Sequence, residues 1–313
     1  MVNNTIKYTD EMFASIFHRP LNVVRLAMRA FEQYGMIEIV NDVVTIPNWE
    51  KHQSVDKLER QKEQTRLMVR NSINHPSVIV SAFLNEPDSD LPECKSLVDE
   101  LIATIRAEDT GHLVTFACHR TKNDISHANT DIIAYNTYPG WYSYTPETGT
   151  AEEMRESIRT CHGDIVKRFR DTYRDDRPIV VSETGVKADY GMRDPRGKAQ
   201  NTEDFQAQYE KMMLEELFDM PEIAGVAIWQ YGDAKTYTRV GYISSRPYGV
   251  NTGGLFDIYR RPKLVLDAVR ELFRSKKWYN ISKCRIFVFI CKSVSEYPVT
   301  CHNGRLHGTG GDN

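Results

Sequence analysis

Two glutamates close short apolar runs: Glu86 ends "SVIVSAFLNE" and Glu183 ends "PIVVSE". A short apolar run bounded by polar residues reads as a buried strand. In an α/β barrel the reactive side chains sit at the C-terminal ends of strands, which is where both acids stand. One glutamate in such a place reads best as a helix N-cap or a rim ion pair. Two of them, with aromatic residues at neighbouring strand ends, are the equipment for cleaving a glycosidic bond. One carboxyl protonates the leaving oxygen, and the other attacks the anomeric carbon or activates a water.

The elements that must hold this pair follow a strand–helix rhythm. Strands are predicted over 77–83, 112–117, 131–136, 178–183 and 225–230. Their near-continuous apolar character suits strands buried on both faces, as in parallel sheets. Amphipathic helices are predicted in "SLVDELIATIRA", where Leu97, Leu101 and Ile105 share a face, in "DFQAQYEKMMLEELF" and in "KLVLDAVRELF". The alternation predicts an α/β domain over residues 73–275. Residues 276–313 lose the rhythm and read as a loosely ordered tail with one edge strand at 285–290.

Residues 1–54 carry a different pattern. Thr9 can cap a short helix over "DEMFASIF", and Pro20 suits the first turn of a second helix. In that second helix Leu21, Val24, Met28 and Phe31 share one face, while Asn22, Arg25, Arg29 and Gln33 share the opposite one. Gly35 ends it, and "MIEIV" and "VVTIP" flank Asn41–Asp42 as a hairpin. The order predicts a small winged helix-turn-helix domain that would present Asn22, Arg25 and Arg29 to the major groove of duplex DNA. Against that stands a near-neutral balance, ten Lys/Arg and nine Asp/Glu in residues 1–72. Residues 55–72 predict a charged, solvated connecting helix, in which Glu59 attracts Lys62 and repels Glu63.

Hydrophobic residues make up 41% of the 313 and charged residues 27%, with a net charge of −3, so the composition is globular and does not announce a nucleic-acid binder. No apolar N-terminal stretch marks a signal peptide, and "IFVFI" is too short to span a membrane. Six scattered cysteines fit free thiols, and the expected location is cytoplasmic. Cys301, His302 and His307 lack a paired Cys-x-x-Cys. His112, His119 and His127 show no ligand spacing and read as surface or loop residues. No metal or cofactor is expected.

"YTDEMFASIFHRPLNVVRLAMRAFEQYGMIEIVNDVVTIPNWEKHQ" resembles the N-terminal domain of phage replisome organiser proteins, in truncated form. Five later segments, "NHPSVIVSAFLNE", "YNTYPGWY", "PIVVSETG", "IWQYGDAKT" and "NTGGLFDIYRRPK", occur in an order that resembles the catalytic barrel of glycoside hydrolase family 2. That family includes the β-galactosidases and β-glucuronidases, and the likeness covers residues 67–275. It implies that Glu86 is the general acid/base and Glu183 the nucleophile. By the same likeness Asn85 holds the sugar 2-hydroxyl and Tyr138 hydrogen-bonds the nucleophile. Trp141 and Tyr142 shape the sugar site, and Trp229 forms the floor under the ring. The likeness also implies an incomplete (β/α)8 TIM barrel, because only the equivalents of strands four to eight are matched. In β-glucuronidases an Asn-x-Lys binds the sugar carboxylate. Here Asn251 stands but Gly253 replaces the lysine, which favours a β-galactoside over a β-glucuronide. Lys263 is read as part of the following helix.

The expected function is a retaining hydrolase of β-linked sugars, with open sheet edges that weaken activity and favour self-association. Two other readings stay open. One is a DNA-binding replication module carrying an inactive barrel fragment. The other is a chimeric reading frame without function, joined near residues 66–73.

Overall fold

The structure is a computed structural model and describes residues 5–40, 43–47, 49–141, 150–236, 246–275, 300–302 and 305–307. Tyr142, the Asn41–Asp42 turn, the strand expected at 285–290 and the side chains of Cys301, His302 and His307 lie outside the described residues. The chain divides into two compact units, Met1–Gln64 and Thr65–Asn313.

In the first unit β1 (Thr5–Ile6), α1 (Asp10–Ile16), α2 (Leu21–Gln33), β2 (Glu38–Val40) and β3 (Val43–Thr45) follow in order. Thr9 caps α1 by accepting the Met12 N–H at 3.3 Å. Pro20 is the N-cap of α2, one residue ahead of the expected first-turn place. Gly35 takes φ +66° just past that helix, a conformation glycine adopts without penalty. β2 and β3 form the expected hairpin, and β1 adds a third antiparallel strand against β3. The core is Phe13, Val24, Ile37 and Val44, with Met28 packed on it. Phe31 departs from the expected face and is exposed. Strands of two or three residues span about 10 Å and α2 about 20 Å, so the sheet cannot cover the whole helix.

α3 (Trp49–Ser72) starts earlier than expected, and the division between units falls inside it. Glu59 and Lys62 pair at 3.5 Å. The end of α3 is buried along one side. Val69 is buried among Cys94, Val98 and Ile102, and Arg70 grips Glu108 with two 2.8 Å hydrogen bonds.

The second unit is an α/β domain. Its strands are β4 (Val80–Asn85), β5 (Leu113–Cys118), β6 (Ile133–Asn136), β7 (Ile179–Thr184) and β8 (Ile223–Ile228). They form one sheet in chain order with every neighbouring pair parallel. α4 (Pro92–Glu108), α5 (Ala151–Tyr173), α6 (Glu203–Asp219) and α7 (Val265–Ser275) fall between and after the strands. The larger core joins Ile133, Tyr135 and Val181 of the sheet to Ile158, Phe169, Met213 and Val269 of the helices. α5 has no counterpart among the predicted helices. It opens on a capping box in which Thr150 Oγ1 and the Glu153 carboxylate each satisfy the other's backbone N–H. β9 (Ala234–Lys235) and β10 (Val250–Asn251) form a short antiparallel pair, as do β11 (Thr300–His302) and β12 (Arg305–His307). No helix among the described residues is long and apolar enough to cross a membrane.

Candidate active site

One register shift in the parallel ladders falls at the start of β7, between Ile179 and Val180, and the others fall near the C-terminal ends of the strands. Those lie between Ala82 and Asn85, between Tyr135 and Asn136, and between Val181 and Thr184. Such irregularities re-aim side chains and favour barrel rims and reactive sites. Glu86 follows the first shift with φ +52°, a left-handed conformation that a residue with a Cβ adopts only under constraint. Its N–H is anchored on the Ala117 carbonyl at 2.8 Å. Glu86 is half-buried, whereas Glu183 on β7 is buried.

Asn136, at the end of β6, joins the two acids. Ser182 Oγ donates to Asn136 Oδ1 at 2.7 Å, which orients the amide. The Nδ2 group then faces Glu86 Oε1 at 2.9 Å, Glu183 Oε2 at 3.0 Å and Asn85 Oδ1 at 3.1 Å. Two carboxylate oxygens that share one nitrogen at these lengths lie at most about 6 Å apart. The Tyr138 hydroxyl donates to the other oxygen of Glu183. Glu86, Glu183, Asn85 and Tyr138 therefore converge. Asn136 and Ser182, absent from the predicted site, are the groups between them.

The remaining candidates sit around this centre. Trp229 is half-buried beyond β8, with its N–H on the Thr184 carbonyl at 2.8 Å. Trp141 donates its N–H to the Tyr138 carbonyl at 3.3 Å. Asn251 is buried, and its Oδ1 accepts the Gly253 N–H at 3.1 Å, so that oxygen holds the turn. Lys263 precedes α7 and does not belong to it. Its buried ammonium donates to Asp233 Oδ1 at 2.8 Å and to the carbonyls of Ala188 and Thr252 at 2.6 and 2.9 Å. Burial is the largest influence on both partners, lowering the Lys263 pKa and raising that of Asp233. Lys263 is thereby committed to three loops.

Glu210 on α6 and His162 on α5 are also buried. Burial pushes the Glu210 carboxyl up to about 8, although Val186 N–H donates to it at 3.0 Å. Burial lowers His162 to about 3, and its Nδ1 shares a 2.7 Å hydrogen bond with the Tyr135 hydroxyl.

His127 corrects the expectation of a surface or loop histidine, because it is fully buried. Its ring meets Asp124 Oδ2 at 2.8 Å and the Phe116 carbonyl at 3.2 Å, and it stacks on Phe116. Cys118, Asp124 and His127 place donor atoms within 4.8 Å of one another. Both ring nitrogens are occupied, the thiol meets Ser89 Oγ at 3.0 Å, and burial holds its pKa well above the ordinary value. The cluster is a buried hydrogen-bond network in which Asp124 Oδ1 has no partner among the described residues.

In the first unit Asn22, Arg25 and Arg29 are exposed on α2, as expected. Arg25 also pairs with Asp10 at 3.3 Å and Glu11 at 2.9 Å, which offsets its charge.

A parallel α/β sheet with two acids and a tyrosine-held carboxylate at its strand ends has the layout of a glycosidase domain. Comparison with known proteins agrees. The β-glucuronidase of Canis lupus familiaris is 28% identical over 256 residues, covering 79% of this chain and 36% of that protein. The Felis catus β-glucuronidase matches to the same extent. Among solved structures, the GH2 β-galacturonidase from Eisenbergiella tayi bound to galacturonate matches with TM-score 0.63 and 28% identity, over 70% of this chain and 37% of that one. Residues 1–74 match the N-terminal phage replisome organiser family. The chain therefore joins a segment that matches the N-terminal phage replisome organiser family to a region similar to part of the glycoside hydrolase family 2 enzymes. It spans little more than a third of the length of these relatives. The three are named for uronic acid sugars, so the β-galactoside preference expected from Gly253 finds no support in them.

Proposed function

We propose that residues 73–275 carry a retaining β-glycosidase site on an incomplete TIM barrel. The observation that carries this reading is the single Asn136 amide shared by Glu86 and Glu183. Retaining sites keep their carboxyls about 5–5.5 Å apart, and inverting sites about 6.5–9.5 Å. The two oxygens that share the Asn136 nitrogen lie at most about 6 Å apart, a close approach that favours the retaining arrangement. Glu183, buried and held by Tyr138 and Asn136, attacks the anomeric carbon and forms a glycosyl ester. Glu86, half-buried and nearer solvent, protonates the departing glycosidic oxygen. It then takes a proton from the water that cleaves the ester, and the anomeric configuration is restored. Trp229 and Trp141 supply apolar faces for the ring, and Asn85 supplies an amide for the 2-hydroxyl.

The test is hydrolysis of aryl β-glycosides with the anomer of the first-formed sugar read by NMR. The β-anomer is expected first. Glu183→Gln should abolish turnover, and Glu86→Gln should spare substrates with good leaving groups, which need little protonation. An α-anomer, or equal loss in Glu86→Gln with every leaving group, refutes the assignment. No turnover of any substrate favours the inactive or chimeric readings.

A second reading rests on the phage replisome organiser match over residues 1–74. Here the first unit is a winged helix that binds duplex DNA through Asn22, Arg25 and Arg29. Retention of DNA by the full chain at low salt should fall steeply with added salt and in Arg25→Ala/Arg29→Ala. Equal retention in the double variant refutes it.

A further inference from the structure

Cys118 follows Ala117, whose carbonyl holds the Glu86 N–H at 2.8 Å. It is fully buried at the end of β5. Asp124 and His127 come soon after in the chain, both buried, the histidine on a short 3₁₀ turn, Ser126–Asn129. One donor atom from each of the three lies within 4.8 Å of the other two. Zinc bonds of about 2.0–2.3 Å put neighbouring tetrahedral ligand atoms about 3.3–3.8 Å apart, so these three need shift little to close on one ion.

The surroundings already orient the donors. His127 Nε2 lies 3.2 Å from the Phe116 carbonyl. A proton donated there leaves the Nδ1 lone pair to an ion, as backbone carbonyls do for ligand histidines. The Tyr173 hydroxyl donates to Asp124 Oδ2, and Asp124 Oδ1 is buried with no hydrogen-bond partner among the described residues. A buried carboxylate oxygen left unpaired is costly, and a cation bound to it removes that cost. No lysine or arginine among the described residues pairs with Asp124, whose ion pair is with His127. Arg177 gives its guanidinium to the His127 and Thr130 carbonyls instead. Ser89 Oγ, 3.0 Å from Cys118 Sγ, is a further oxygen at the same place.

We infer that Cys118, Asp124 and His127 bind one zinc ion, which clamps the end of β5 to the turn after it, with Ser89 from the loop after β4 at the fourth position. Thiolate, imidazole and carboxylate together suit zinc, whereas calcium and magnesium take oxygen ligands. The thiol proton leaves to solvent as the Zn–S bond forms, because a coordinating thiol is deprotonated outright. Any proton on His127 Nδ1, which is 2.8 Å from Asp124 Oδ2, passes to Nε2 or to solvent as the Zn–N bond forms. The site lies outside the proposed sugar chemistry and stands or falls without it.

Metal binding to the full chain tests it. The chain is stripped with a chelator, then titrated with Zn²⁺ against a chromophoric chelator and with Co²⁺ by absorbance. One ion per chain should bind, with a thiolate-to-cobalt band in the near ultraviolet and a rise in Tm with zinc. Cys118→Ser should abolish the band. Outer-shell partners alone are worth about 10–100-fold in metal affinity, so loss of a ligand in Asp124→Asn should weaken zinc by at least about tenfold. The triple variant Cys301→Ser/His302→Gln/His307→Gln should keep both ion and band. No bound ion, a band that Cys118→Ser keeps, unchanged zinc affinity in Asp124→Asn, or loss in the triple variant overturns the inference. Should Cys118→Ser fail to fold, X-ray absorption at the zinc edge of the unaltered chain decides. One sulfur among nitrogen and oxygen neighbours supports the site, and no sulfur, or more than one, overturns it.

Discussion

Asn136 does what neither glutamate does alone, because one amide nitrogen sets the distance between two carboxylates. A preorganised donor aimed at reacting groups is worth about 10²–10³ in turnover. Asn136→Ala should therefore lower kcat on an aryl β-glycoside by about that factor while the thermal melt stays close to the unaltered chain. A loss below threefold would reduce Asn136 to a spacer. Glu210, buried on α6, shapes stability. Its carboxyl titrates near 8 when folded and near 4.5 when unfolded, so the folded state binds the extra proton between those values. Stability from this group is fully present below pH 4.5 and is lost as pH rises toward 8, by up to about 1.4 kcal/mol per unit. Glu210→Gln removes the ionisation, so its urea midpoint should gain on the unaltered chain steadily from pH 5 to 8. Parallel curves would mean that Glu210 is not buried as a neutral acid. His162 acts with the opposite sign. Its folded pKa is depressed from 6.5 to about 3, so its contribution is present above 6.5 and lost as pH falls toward 3.

The strands announced themselves because an apolar run flanked by polar residues has one economical home, the inside of a parallel sheet. All five appear within a few residues of their predicted bounds, and Glu86 and Glu183 both meet the Asn136 amide. Asn136 stayed hidden because an asparagine after "DIIAY" reads equally well as a turn former, and nothing local says that its amide faces two acids from other strands. α3 misled for a related reason. Its charged residues dominate the pattern, while the residues that bury its end, Thr65 and Val69, are two among many. α5 was legible and missed: Thr150 and Glu153 stand at capping-box spacing ahead of Met154, Ile158, Ile165 and Phe169. The cap can be tested by itself. Thr150→Ala should cost about 1 kcal/mol, a fall of about 2–4 °C in Tm for a domain of this size. An unchanged Tm would mean that packing alone sets where α5 begins.

The described sheet has two outer strands, β4 and β8, each paired on one side only. A strand edge without a partner presents N–H and C=O groups to any chain that can add to it. Closed barrels avoid this by giving every strand two neighbours. Near the end that follows β8, Tyr231, Leu255, Phe256, Leu266, Val269 and Phe273 line an apolar groove of about 680 Å³ beside α7. On β4, Ile79 just ahead of the strand is 41% exposed, which adds apolar surface beside the open backbone. The 313-residue chain should therefore self-associate. Its weight-average mass in sedimentation should rise with concentration across the micromolar range. Ala82 is exposed on β4, so Ala82→Lys places a charge on that edge and should shift the mass toward the monomer. A strand on either edge would also sit beside the proposed glycosidase site, so turnover per chain should change with concentration, not stay constant. A monodisperse monomer with constant specific activity at ordinary enzyme rates, roughly 1–10³ per second, would show that five strands and the segments around them already make a closed, working site.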